Sequence, residues 1–405
     1  MEKKINGLVI ENGVVFGVED INNITEAVIP DGVTSIGDYA FSGCKNLKSV
    51  TIPDCVTYIG DYAFYDCECL TSVNIPDGVT YIGEAAFMYC KNLTSITIPD
   101  SVTSIGDYAF SYCECLTSVN IPDGVTYIGE AAFMHCKNLT TNITIPDSVT
   151  KIRDYAFSYC ECLTSVNIPD GVTYIGNYAF YKCLFLTSLT IPDSVTKIGD
   201  KAFYRCECLT SVNIPDGVTY IGEATFMHCK NLTSVTIQDG VISICKYAFS
   251  GCKNLTGIVI PDSVKSIGAN AFSNCSKLKS VSIGNGGIST IYECTFKNCT
   301  SLQSITLPDT VEELSCSCFE KCIRLATIIL PYGVVFIKDH AFFDCKRLEN
   351  ITIPDSVTYI GDYAFANCTR LTSITIPESV IALADSVVAG SINLTSITLP
   401  KRFRT

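Results

Sequence analysis

Apolar and polar positions alternate in this chain in a pattern that returns about every 23 residues. In the copy at residues 47–69, Val50 and Ile52 alternate with Ser49 and Thr51, the period-two signature of a strand with one buried face. Pro53 ends that strand because it has no backbone N–H to give to a ladder. Pro53-Asp54 then predicts a type I turn with proline at its second position, and Val56 to Ile59 starts a second short extended stretch. Gly60 releases the chain, Asp61 is placed to cap a single helical turn through Ala63, Phe64 and Cys67, and Leu70 closes the coil.

All fifteen prolines keep to one phase of this repeat, from Pro30, Pro53 and Pro76 to Pro377 and Pro400. A fixed period of this length signals units that cannot bury an apolar face alone and must stack on their neighbours. The predicted fold is therefore a repeat solenoid of about sixteen coils, mostly β with short helical turns. Phe41, Phe64, Phe87 through Phe365, Leu47, Leu70 through Leu394, and the Ile before each proline (replaced by Leu307, Leu330 and Leu399 in three coils) would form continuous inward ladders.

The two ends depart from the repeat. Residues 1–28 lack it, and Asn12-Gly13 is the pair a type I′ hairpin requires, which suits an N-terminal cap. Residues 29–376 are read as the solenoid. Residues 377–405 are read as a degenerate last coil and C-terminal cap, with Val388 at the Phe position and Ser391 at the Cys position. Within residues 65–229 the copies agree better two coils apart than one, as if a two-coil unit had been duplicated.

Charge changes this picture little. The net charge is -13, but 26 of the 41 acids sit at two repeat positions, after the proline or before Tyr-Ala-Phe, where turn and cap chemistry accounts for them. No basic patch competes with them, so a nucleic-acid partner is not expected. The first residues, Met1 to Gly7, hold neither an apolar run nor a small-residue cleavage site, and nowhere do 18 apolar residues run together. Taken alone, the residues suggest an unexported, cytoplasmic chain without membrane insertion.

The recurring phrase Ile-Pro-Asp-Ser-Val-Thr-Ser-Ile-Gly-Asp-Tyr-Ala-Phe-Ser-Tyr-Cys-x-x-Leu-Thr-Ser, clearest at residues 98–118, closely resembles the BspA-like class of leucine-rich repeat, and the likeness runs over residues 29–400. That resemblance implies a right-handed leucine-rich-repeat superhelix and a role in protein binding, often adhesion by surface proteins. It therefore points to the cell surface or to secretion.

Candidate chemistry is sparse. Fifteen of the 24 cysteines, Cys44 and Cys67 through Cys368, lie three residues after the ladder Phe and read as a stack of small buried side chains. The Cys-x-Cys pairs at Cys67, Cys113, Cys160 and Cys206 are too closely spaced for a zinc site. His135, His228 and His340 stand too many coils apart to converge on a nucleophile. Neither an enzyme nor a cofactor or metal is expected.

One outward row invites contact. Tyr58, Tyr81, Tyr127, Tyr174, Tyr220 and Tyr359 precede the second ladder Ile and offer large amphipathic area at low entropic cost. The expectation is a monomeric, non-enzymatic module that binds protein through this row. A structural rod without a specific partner and a glycan-binding surface are the alternatives.

Overall fold

The computed structural model describes residues 3–140 and 142–404. It is a β-solenoid of about 17 turns with almost no helix. The chain divides into two compact units, Met1–Glu207 and Cys208–Thr405.

The first unit opens with an antiparallel meander of β1 (Lys3–Ile5), β2 (Leu8–Glu11) and β3 (Val14–Val18). Asn12 and Gly13 join β2 to β3 with φ of 51° and 78°, the left-handed pair that the Asn-Gly dipeptide favours. From β3 onward pairing becomes parallel. β3 joins the row of two-residue strands that includes Ser35–Ile36, Tyr58–Ile59 and Tyr81–Ile82, while β4 (Glu26–Val28) starts a second row with Ser49–Thr51, Ser72–Asn74 and Ser95–Thr97. Each row pairs residues one repeat apart, for example Ser95 with Ser72 and Ile105 with Ile128.

Two local expectations are corrected. The turn after the first strand is closed by the Val56 N–H donating to Pro53 O at 3.1 Å, which puts proline at the first position of the turn, not the second. Between Gly60 and Cys67 no helical turn forms. Alternate N–H groups there point along the stack: Tyr62, Phe64 and Asp66 donate to Glu84, Ala86 and Met88 of the next coil at 2.7, 2.7 and 2.8 Å. The residues between them, Ala63, Tyr65 and Cys67, donate three residues back, to Gly60, Tyr62 and Phe64. Tyr62 and Asp66 reach this geometry with φ of 57° and 59°, and the corresponding residues of most coils do the same. Left-handed backbone costs about 1 to 2 kcal/mol in a non-glycine residue, so coil-to-coil hydrogen bonding and packing outweigh local preference here.

The acid expected to cap the helical turn serves the stack instead. Asp61 Oδ1 accepts from the Glu84 N–H of the next coil at 2.8 Å, and Asp107 and Asp154 repeat the bond to Glu130 and Asn177. The glycine before it has a different purpose from the one read in the sequence. A Cβ on Gly106 would stand 2.7 Å from the Glu84 nitrogen and from the Gly83 carbonyl carbon, so glycine is there for close approach of successive coils.

The core consists of the predicted ladders. Phe41 through Phe203 stack in the first unit with centroid spacings from 5.0 to 5.5 Å in nearly parallel planes, and Phe226 through Phe365 stack in the second at 5.3 to 5.6 Å. The cysteine ladder is buried beside it, and its thiols donate to the Phe carbonyl of the preceding coil, as Cys67 does to Phe41 O and Cys113 to Phe87 O, each at 3.2 Å. Ser391 replaces the last Cys and donates to Phe365 O at 2.9 Å, keeping the same bond. All 24 cysteines are free thiols.

Candidate functional site

Each coil shows three surfaces to solvent: the outward face of the first strand, the residue before the second ladder Ile, and the turn segment that follows. The chemistry of each strip depends on where individual coils abandon the repeat's usual residue.

The first strip is small and polar, as Ser49, Thr51, Ser72, Asn74, Ser95 and Thr97 illustrate, all exposed. In the second unit two outward positions carry apolar side chains. Val259 is 68% exposed and pairs in register with Ser282, and Ile329 is 85% exposed. Tyr332 takes the place of the Asp that usually follows the proline and is 91% exposed. In the same coil Phe336, at the tyrosine position of the second strand, is also exposed. Exposed Ile, Tyr and Phe thus occur within eight residues of one coil, and an exposed aromatic such as Tyr332 is of the kind that dominates binding energy at protein interfaces.

The second strip contains the six tyrosines singled out in the sequence, and it is not uniform. Tyr58 and Tyr220 are 39% and 56% exposed, whereas Tyr81, Tyr127, Tyr174 and Tyr359 are half-buried. Tyr58 and Tyr81 rings stack at 6.4 Å. The Tyr127 and Tyr174 hydroxyls donate to Asp107 Oδ1 and Asp154 Oδ1 at 3.0 Å each, and the Tyr359 hydroxyl donates to Asp339 Oδ1 at 3.4 Å. Burial, reinforced by the bond to Asp154, pushes the Tyr174 phenol up to about 12. The row is interrupted in register: Tyr81, Ser104 and Tyr127 are neighbours, as are Lys151, Tyr174 and Lys197.

The third strip was not anticipated from the sequence. In the first unit Tyr39, Tyr62, Tyr65, Tyr89, Tyr112, His135, Tyr159, Tyr181 and Tyr204 form an unbroken chain of ring contacts, closest between Tyr112 and His135 at 4.4 Å and between His135 and Tyr159 at 4.1 Å. Burial between these rings, with Lys137 nearby, lowers the His135 pKa. The Tyr62 hydroxyl donates to Glu84 at 2.8 Å, and this bond pushes its phenol up to about 12. Four of these rings, Tyr89, Tyr112, His135 and Tyr159, stand immediately before a ladder Cys, a position the sequence does show; the other five occupy different repeat positions.

His135 lies between tyrosine rings, and His340 stacks on Tyr363 at 5.1 Å. In the Cys-x-Cys pairs the first Cys is buried in the ladder and the second half-exposed, so the two thiols are not presented together. Among the described residues no group of three or more His, Cys, Asp or Glu side chains could hold a metal ion, and no helix is long and apolar enough to cross a membrane.

Comparison with known proteins bears on the fold directly. Residues 18–140, 138–256, 219–348 and 335–405 match the family model described as BspA type leucine rich repeat region. The chain is similar to a leucine-rich repeat protein from Bacteroides ovatus ATCC 8483, with 33% identity, a TM-score of 0.72, and coverage of 93% of this chain and 92% of that one. It is also similar to a leucine rich cell surface protein from Faecalibacterium prausnitzii A2-165, with 27% identity, a TM-score of 0.51, and coverage of 98% and 94%. A leucine-rich repeat protein from Eubacterium ventriosum ATCC 27560 follows at 25% identity and a TM-score of 0.52, with coverage of 90% and 93%. Comparison with curated proteins finds no match.

Proposed function

We propose that this chain, which belongs to the BspA type leucine-rich repeat family, is a non-enzymatic protein-binding module that presents an extended repeat surface for adhesion at the cell surface. The observation that carries the reading is the full exposure of Ile329 and Tyr332 at positions where other coils keep Thr or Asn and Asp. A spacer has no use for such side chains, which lower solubility unless a partner covers them. The likeness to a cell surface protein supports the proposed location.

The tyrosines of the second strip, Tyr58, Tyr81, Tyr127, Tyr174, Tyr220 and Tyr359, belong to this proposal as an auxiliary contact row. Its most available members are Tyr58 and Tyr220, since Tyr127 and Tyr174 already spend their hydroxyls on carboxylates. Residues 1–28 are proposed as the N-terminal cap, 29–376 as the binding solenoid and 377–405 as the C-terminal cap. The test is photo-crosslinking from a benzoyl-phenylalanine placed at Tyr332, at Tyr220 or at Thr51, with a panel of purified extracellular proteins. Crosslinks from Tyr332 and not from Thr51 support the module and its apolar contact. Crosslinks from Tyr220 alone shift the site to the tyrosine row, and none from any position leaves the rod reading.

A further inference from the structure

Three cations enter the second strip of the first unit together. Lys151 and Lys197 stand where other coils carry Tyr or Ser, on either side of Tyr174 in register. Arg153 stands where the neighbouring coils carry Gly129 and Gly176. With Thr173, Thr196, Glu130 and Asp154 these residues line an open cleft of about 490 Å³, a volume within the range of small-molecule sites.

None of the three cations is held in a close ion pair among the described residues. Arg153 lies over the Tyr127 ring at 4.4 Å and Lys197 over the Tyr174 ring at 5.4 Å. Asp154 is already occupied, because Oδ1 accepts from the Tyr174 hydroxyl and the Asn177 N–H while Oδ2 accepts from Asn177 Nδ2. In a chain of net charge -13, a cleft that sets three cations against the two carboxylates of Glu130 and Asp154 is complementary to an acidic group on a ligand.

The remaining lining restricts what carries that charge. The Glu130 carboxylate and the threonine hydroxyls can exchange hydrogen bonds with a ligand rich in hydroxyl groups. Half-buried Tyr174 adds a ring surface for the C–H side of a sugar. No exposed aliphatic anchor of the kind a peptide would use stands in the cleft.

We propose that the cleft formed by Lys151, Arg153, Tyr174 and Lys197 binds an oligosaccharide bearing carboxylate groups. This site lies on a different strip and in a different unit from the apolar coil at Ile329, so it stands or falls independently of that contact.

The test is calorimetric titration of the full chain with hexagalacturonate, its methyl ester and a glutamate hexapeptide. The comparison variant is Lys151→Ser with Arg153→Gly and Lys197→Ser, each replacement being a residue that other coils carry at the same position. Lys197→Ser alone serves as a second variant if the triple change melts early. The expected result is salt-sensitive binding of hexagalacturonate, weakened at least tenfold in the triple variant and at least tenfold for the methyl ester, with the Ile329→Thr, Tyr332→Asp protein unaffected. Absence of binding, equal binding by the triple variant, or equal binding of the methyl ester overturns the proposal. Binding of the glutamate peptide in preference to the saccharide overturns it in favour of an acidic protein segment.

Discussion

Raising the pH should unfold this protein through its cysteine ladder. Burial pushes the Cys44 thiol up to about 11 and those of Cys275 and Cys368 to about 12, and it holds Cys67, Cys90, Cys113, Cys136, Cys160 and Cys183 well above the ordinary thiol. In the unfolded chain the same thiols ionise near 9. The folded state therefore keeps protons that the unfolded state gives up, and stability is complete below pH 9 and falls as pH rises through the folded values. Each buried thiol loses about 1.4 kcal/mol of stability per pH unit across that window. At pH 10 the six from Cys67 to Cys183 together withdraw about 8 kcal/mol, comparable to the 5 to 15 kcal/mol that typically holds a domain folded. Circular dichroism recorded alongside alkylation of the ladder cysteines, read by peptide mass, should show one joint transition between pH 9 and 11. The Cys113→Ser protein keeps the hydrogen bond that Ser391 demonstrates and should show a pH slope shallower by about 1.4 kcal/mol per unit. Alkylation of the ladder cysteines near pH 9 with the circular dichroism spectrum intact would refute the argument.

Phe110→Ala removes a fully buried ring stacked 5.5 Å from Phe87 and 5.3 Å from Phe133, and should cost about 3 to 5 kcal/mol in urea unfolding. Phe41→Ala, which loses one stacking neighbour rather than two, should cost less by about 0.5 to 1.5 kcal/mol. Lys321→Gly should stabilise by about 0.5 to 1 kcal/mol, because Lys321 is exposed at φ 60° where Gly251 and Gly390 serve other coils; a lower melting temperature would show that the side chain contributes more than its backbone strain. Alkylation of the native protein, read by peptide mass, should label Cys55, Cys69, Cys115, Cys162, Cys208, Cys245 and Cys316 and spare the buried ladder.

Residues that keep the repeat could be read from the sequence, and those that break it could not. The period placed Phe64, Cys67, Leu70 and Ile52 inside because an apolar residue recurring at one phase has nowhere else to stack, and all four are buried. The segment from Gly60 to Cys67 was misread because local rules favour a capped helical turn after Gly-Asp. Hydrogen bonds to the next coil, which no single copy reveals, hold Tyr62 and Asp66 left-handed instead. The same bias hid the sites. Searching for a repeated feature found the tyrosine row, whereas Arg153, Ile329 and Tyr332 each occur once and look like drift until their exposure and neighbours are seen.

The proposed function rests on the apolar coil acting as a contact, and restoring the repeat there tests it most directly. Ile329→Thr with Tyr332→Asp gives that coil the residues its neighbours carry on the surface, without touching a ladder. Against a partner identified by crosslinking from Tyr332, the affinity of this variant should fall by a hundredfold or more, since a contact residue of this kind is worth about 2 kcal/mol, while its melting temperature stays that of the parent. Unchanged affinity with unchanged melting would mean that these exposed side chains are not a binding surface.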